Sequence, residues 1–121
     1  TKTKDFRNFR MNNEVYKTRR QVIDIIYQAN KINRLPRIDV RVGQARHNIL
    51  GIASMGDCII WIDVDKSADK LLQVVLHEIC HAVWSIEHDD NCPLMSPVAR
   101  PISDKQAWDC FKKYSKENLG Q

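Results

Sequence analysis

The sequence predicts a small α+β domain. Its 121 residues are the length of a single domain. Two segments place apolar side chains at helical spacing, a third opens with a helix-capping pattern, and three shorter segments have strand character. The resulting order is a helix, three strands, a helix, a loop and a final helix, which is the layout of one α+β domain. We predict a polar, basic arm at residues 1–12 and the domain at 13–121.

The first helix and the first strand are predicted from residue 14 to residue 42. Apolar residues recur at helical spacing from Glu14 to about Asn30, and Asn13 can cap the start of this helix. Pro36 ends the helical region, because the residue before a proline avoids helical angles. The alternation of RIDVRV (37–42) predicts a half-buried strand.

Two further strands and the second helix are predicted from residue 48 to residue 86. The segments NILGIAS (48–54) and CIIWIDV (58–64) are apolar and rich in β-branched residues, with a predicted turn at 55–57. A helix is predicted from Ala68 to Ile86 because its apolar residues form a core-facing stripe: Leu72, Val75, Leu76, Ile79 and Val83.

The last third of the chain is predicted to be a loop followed by a helix. Pro93, Pro97 and Pro101 fall in the loop. Ser103 and Gln106 have the spacing of a capping box, so the final helix is predicted to begin there and to end near Glu117.

The charge of the chain is unevenly distributed. Residues 1–46 hold twelve Lys and Arg against four Asp and Glu, whereas the remainder holds seven against eleven. A basic half can bind an anionic partner or can be a solvated helix face. No nucleic-acid-binding motif accompanies the charge, so nucleic acid is not expected as a partner. No apolar run is long enough to cross a membrane and no signal segment is visible, so we expect a cytoplasmic monomer.

The four cysteines are too few and too scattered to predict a disulfide scaffold. We expect buried free thiols at Cys58, Cys80, Cys92 and Cys110. A bridge between Cys92 and Cys110 stays open as an alternative.

A metal site is predicted on the second helix. His77 and His81 are four residues apart, so their imidazoles project from one helix face, one turn apart. That spacing lets two nitrogens bind one ion at about 2.0–2.1 Å. Glu78 would lie beside the ion without binding it, where a general base can take a proton from a metal-bound water. His88 is a third candidate ligand, and three protein ligands with one open position are typical of catalytic zinc sites.

The motif HEICH, the following His88-Asp89 and the segment LMSP (94–97) together resemble the metzincin clan of zinc peptidases, most closely the matrixin type. Upstream, NILGIAS and CIIWIDVD are similar to the edge strand and inner strand that precede the active-site helix of matrixins. The resemblance covers residues 48–103. It implies a zincin-like fold: a small mixed sheet, an N-terminal helix, an active-site helix, and a C-terminal helix after a Met-turn.

The resemblance also implies a role for individual residues. One catalytic Zn²⁺ would be bound by three histidines: His77, His81 and His88. Glu78 would be the general base, and Met95 would be the methionine of the Met-turn beneath the metal. A protein or peptide substrate would pair with the backbone of the edge strand at Gly51, Ile52 and Ala53, and residues 98–100 would border the pocket for the side chain after the cut.

Two positions depart from the metzincin pattern. Trp84 stands where the clan has a glycine, and the usual position of the third ligand is occupied by Glu87, with His88 one residue later. A tryptophan is disfavoured in the left-handed conformation that a glycine adopts, so we expect the helix to continue further before the chain turns back. This longer exit favours His88 as the third ligand, with Asp89 as a partner that could orient its ring. Glu87 stays open as the alternative.

These observations predict a zinc-dependent metalloendopeptidase. The alternative is a zincin-fold binding or inhibitory module that retains zinc without catalysis. Glu78 argues against that alternative, because a module that only binds has no need of a general base.

Overall fold

The computed structural model describes residues 6–8, 13–45, 49–65, 67–98 and 100–118. In this part of the chain, three helices pack with a four-stranded sheet, which confirms the predicted α+β class. The strands are β1 (Phe6–Asn8), β2 (Asp39–Ala45), β3 (Gly51–Ser54) and β4 (Ile59–Asp63). The helices are α1 (Asn13–Ile32), α2 (Leu71–Trp84) and α3 (Asp104–Glu117), with short 3₁₀ turns at Ala68–Lys70 and Pro93–Met95.

The sheet is mixed, with the strand order β1-β2-β4-β3. The apolar strand β4 lies inside it, parallel to β2 and antiparallel to β3. Four of its five residues are buried, as expected for a strand covered on both faces. Among the described strands β3 is at one edge, so its outer side is the side on which a further strand could pair.

One strand lies inside the predicted N-terminal arm. The backbone of Phe6–Asn8 pairs antiparallel with the end of β2, with Phe6 opposite Ala45. Sequence analysis assigned no strand here, because three residues are too few to show an alternating pattern. The other residues of the predicted arm lie outside the described part of the chain.

Helix α2 is central to the core and contacts β3, β4, α1 and α3. Of the predicted stripe, Val75, Leu76 and Ile79 are fully buried, whereas Leu72 and Val83 at its two ends are half-buried. Helix α1 buries Val15, Val22 and Ala29, which recur every seven residues along one face. Helix α3 begins with the predicted capping box, in which the Ser103 hydroxyl accepts from the Gln106 N–H and the Gln106 side chain accepts from the Ser103 N–H.

The four cysteines are free thiols, as expected, and the alternative bridge between Cys92 and Cys110 is not formed. The expectation that all four are buried is wrong: Cys80 and Cys92 are buried, whereas Cys58 and Cys110 are half-buried. These two thiols are nevertheless in hydrogen-bond contact. Burial, together with that contact, raises the pKa of Cys110 to about 11. None of the helices in the described part of the chain combines the length and apolar composition needed to cross a membrane.

Candidate metal centre

Three histidines converge near the end of α2. Two of them project from the helix, and the third lies in the loop that follows it. His77 and His81 project from one face of the helix with ring centroids 4.6 Å apart. The loop returns His88 to them, with its ring centroid 5.3 Å from that of His77 and 4.9 Å from that of His81. One nitrogen from each ring lies within 4.8 Å of the others, so the three residues are close enough to bind one metal ion.

Main-chain carbonyls orient the two helix histidines. His77 Nδ1 lies 2.7 Å from the carbonyl oxygen of Leu94, and His81 Nδ1 contacts the carbonyl oxygen of Ile86. A carbonyl oxygen can only accept, so each Nδ1 must carry the proton, and each neutral ring then has its lone pair on Nε2. The two Nε2 atoms are 3.1 Å apart. Both lone pairs are therefore directed into the same small space, which suits a cation.

The protonation state of His77 also suits a metal ligand. Burial lowers its pKa to about 4, the Leu94 hydrogen bond opposes this change, and electrostatic repulsion from the neighbouring His81 and His88 adds to it. His77 is therefore neutral at pH 7, and the neutral imidazole is the form that binds metal.

The donor set fits zinc. Two ligands at about 2.0–2.1 Å around a tetrahedral ion are roughly 3.3 Å apart, close to the observed separation of the Nε2 atoms. Three imidazoles leave one position of a tetrahedral ion open, as in catalytic zinc sites. Imidazole also binds copper, iron and nickel, so these ions share the donor set with zinc.

The path of the chain after α2 determines which residue lies beside His77 and His81. The helix continues through Trp84, and Ser85 takes the left-handed conformation with φ 55° and ψ 30°. The turn therefore comes one residue after the position of the clan's glycine, as the absence of glycine at 84 predicts. In the described residues the metal-binding cluster contains His88 and does not contain Glu87.

The turn between β3 and β4 holds this helix end in place. The N–H groups of Gly56 and Cys58 donate to the carbonyl oxygens of His81 and Ala82, over 3.3 Å and 3.1 Å respectively. The Ser85 N–H donates to the same His81 oxygen over 3.1 Å. The last carbonyls of a helix have no partner within the helix, and these bonds satisfy them. They also connect the end of the edge strand to the last turn of α2, which carries His81.

Asp89 does not have the role that the sequence suggested for it. Its carboxylate accepts the Asn91 N–H over 2.9 Å and the Tyr114 hydroxyl over 3.1 Å, and both bonds lower its pKa. In the described part of the chain the Asp89 carboxylate has these two partners, in the loop and on α3, and no bond to the His88 ring. Asp89 therefore fixes the loop that carries His88, and the expectation that it orients the His88 ring is wrong.

The predicted Met-turn is a compact 3₁₀ turn at Pro93–Met95. Met95 is fully buried, its N–H donates to the Cys92 carbonyl over 3.0 Å, and its own carbonyl accepts the Asp89 N–H over 2.8 Å. Leu94 in the same turn supplies the carbonyl that orients His77. The turn thus supports the first ligand directly through its backbone, a contact that sequence reasoning did not identify.

A cleft of about 470 Å³ lies over the histidine cluster. It is lined by all three histidines, by Glu78, and by the edge strand at Gly51, Ile52 and Ala53, so the structure brings these predicted site residues together. Glu78 is only 6% exposed. The carboxylate next to the first ligand is thus largely shielded from bulk water.

The far side of the cleft differs in detail from the prediction. Leu94, Ser96 and Pro97 line it, whereas Val98 is an exposed residue outside the lining, and Ala99 lies outside the described residues. Gln73, one turn before His77, donates from Nε2 to the Arg100 carbonyl over 2.7 Å. This bond ties the segment after the Met-turn to α2, and no sequence motif signals it.

The register of β3 shows which backbone groups face its outer side. The Asp63 N–H donates to the Leu50 carbonyl over 2.9 Å, so this is a hydrogen-bonded pair of the antiparallel ladder. Such pairs alternate, so the backbone of Ile52 points to Trp61, while that of Gly51 points away from β4. Of these two residues, Gly51 offers its backbone to the open side.

Comparison of the chain with protein-family models, with curated proteins and with solved structures finds no match.

Proposed function

We propose that this chain is a zinc-dependent metalloendopeptidase that hydrolyses peptide bonds in proteins or peptides. The observation that carries the proposal is the position of Glu78: a shielded carboxylate that opens onto the same cleft as three converging histidines. A site that only stores or binds metal has no use for an acid in that place, whereas hydrolysis needs a proton acceptor there.

The three histidines would hold the ion. His77, His81 and His88 contribute three nitrogen donors, and the first two are held by main-chain carbonyls. When bound, Zn²⁺ supplies Lewis acidity and lowers the pKa of a coordinated water towards about 7. The carbonyl bonds to Nδ1 keep each ring in the tautomer that presents Nε2.

Glu78 would move the proton. Its carboxylate accepts a proton from the attacking water and then delivers it to the amine that leaves the scissile bond. Because Glu78 is adjacent to His77 on a rigid helix, the proton acceptor and the first ligand keep a fixed relation. Low exposure limits competition from bulk water for this carboxylate.

The edge strand would hold the substrate. An extended peptide can add to the outer side of β3 through main-chain hydrogen bonds, and Gly51 directs its backbone to that side. The β3–β4 turn is hydrogen-bonded to the end of α2, so a peptide paired with β3 would lie at a fixed distance from the three histidines.

The test combines metal analysis with hydrolysis of a mixed fluorogenic peptide library. The wild-type chain should bind about one zinc ion and cleave the library. Glu78→Gln should keep the zinc and lose hydrolysis by about 10²- to 10⁴-fold, the usual range for a general base. Glu87→Gln is the matched control, since this exposed acid lies outside the metal-binding cluster, and it should keep both properties.

Two results would contradict the proposal. Zinc binding without hydrolysis by the wild-type chain would favour the non-catalytic zincin-fold module instead. Loss of zinc in Glu78→Gln would show that this carboxylate is a ligand, and its proposed role as a base would fail.

A further inference from the structure

The edge strand contains a glycine that its backbone conformation does not explain. Gly51 pairs with Ile62 in a regular antiparallel ladder. The one described glycine with a positive φ is Gly56, so Gly51 does not have the left-handed angles that favour glycine. Glycine inside a strand is destabilising relative to alanine, so another requirement must account for it.

Space is the requirement that the structure shows. A Cβ atom at position 51 would lie 3.0 Å from Glu78 Oε2, 3.1 Å from Glu78 Cγ and 3.0 Å from Val74 Cγ1. These separations are shorter than ordinary contacts of about 3.5–4.0 Å between carbon atoms. Val74 and Glu78 are one turn apart on α2, so they meet the strand from the same helix face.

We propose that Gly51 is a positioning residue for Glu78. The missing side chain leaves the space in which the carboxylate lies between β3 and α2, and a side chain at position 51 would require Glu78 or Val74 to shift by a few tenths of an ångström. This inference rests on the proposed function, in which Glu78 is the general base.

The same residue would then have two roles in the cleft. Its backbone points to the outer side of β3, where the substrate would pair, and its missing side chain admits the carboxylate that receives the proton. Gly51 would therefore bring the bound substrate close to the general base, Glu78. Displacing reacting groups by about 1 Å can cost 10²-fold in rate, so small shifts of this carboxylate matter.

A simpler explanation is that glycine only lets the helix pack closely on the strand, through Val74. The two explanations differ in which side chain the added methyl group would meet. A thermal unfolding cycle on the metal-free chain separates them, using Gly51→Ala alone and in combination with Glu78→Ala or Val74→Ala.

We expect Gly51→Ala alone to lower Tm by at least about 4 °C, the scale of overpacking in a small domain. In the Glu78→Ala background most of this loss should disappear, because two of the three close atoms are gone. The loss should persist in the Val74→Ala background. If Gly51→Ala alone does not fold, the double variant with Glu78→Ala should recover a cooperative transition, and failure to recover would overturn the proposal.

Kinetics on the zinc-loaded chain provide the second readout. With the fluorogenic peptide library, Gly51→Ala should lower kcat by about 10- to 100-fold while KM changes far less and one zinc stays bound. An unchanged kcat, or the same Tm loss in the wild-type and Glu78→Ala backgrounds, would overturn the role of Gly51 in a chain that still hydrolyses peptides. Absence of hydrolysis by the wild-type chain would instead overturn the proposed function, so the two failures are distinguishable.

Discussion

The exit of α2 gives the sharpest test of the structure, because two neighbouring glycine substitutions should have opposite effects. The metzincin pattern puts glycine at 84, whereas the structure puts the left-handed residue at Ser85. Trp84→Gly would place glycine at a position that is helical here. Ser85→Gly would place glycine where the chain turns.

The magnitudes follow from the contacts of each residue. Trp84 is partly buried and packs on Phe111 with ring centroids 5.3 Å apart. Removal of a buried tryptophan side chain costs about 3–5 kcal/mol, and about half of this applies to a partly buried one. Glycine within the helix adds about 1 kcal/mol, so Trp84→Gly should cost about 3 kcal/mol in total. Ser85→Gly removes about 1–2 kcal/mol of left-handed strain and costs about 1 kcal/mol in unfolded-state entropy, for a net gain between zero and about 1 kcal/mol.

Thermal unfolding of the metal-free variants measures this difference. At roughly 4 °C per kcal/mol for a domain of this size, Trp84→Gly should lower Tm by about 10 °C or more, and Ser85→Gly should leave it unchanged or raise it. Zinc affinity should fall less in Ser85→Gly than in Trp84→Gly. The reasoning would be refuted if Trp84→Gly left Tm unchanged and Ser85→Gly lowered it. That result would show that the helix ends at position 84.

Three further predictions concern the ligands and their support. His88→Ala should weaken zinc binding at least 10-fold more than Glu87→Ala in a competition titration, since the cluster contains His88; the reverse order would make Glu87 the ligand. Met95→Leu should change Tm little because the volume is nearly conserved, whereas Met95→Lys should abolish cooperative unfolding by burying a charge at a fully buried position. The metal-free chain should lose stability as pH falls from 6.5 to about 4, by at most about 3 kcal/mol, because the unfolded state binds a proton that folded His77 excludes. Urea unfolding across that range measures the slope, and His77→Asn should flatten it.

Features set by local chemistry could be predicted from the sequence. The apolar stripe of α2, the alternation in β2 and the capping box of α3 each depend on residues close together in the chain. The pairing of His77 with His81 follows from helix geometry in the same way. The observed β2 still runs to Ala45, three residues beyond the predicted end, because its later residues pair with β1 and β4 rather than following a visible pattern.

Features set by contacts distant in sequence could not be predicted. Tyr114 holds Asp89 from α3, and Gln73 holds the backbone at Arg100. A lone tyrosine or glutamine carries no motif that reveals such a partner. The suggestion that Asp89 orients His88 was wrong for this reason: the carboxylate found its donor on another helix and in its own turn.

Main-chain bonds, rather than side chains, hold the two helix histidines in their orientation. The Leu94 carbonyl orients His77 from the Met-turn, and the Ile86 carbonyl orients His81 from the helix exit. Both acceptors are backbone atoms, so neither depends on side-chain identity. The left-handed residue of the helix exit is Ser85, and the Ile86 carbonyl that follows it reaches the His81 ring. The orientation of His77 and His81 therefore depends on the path of the chain, and the same path brings His88 to them.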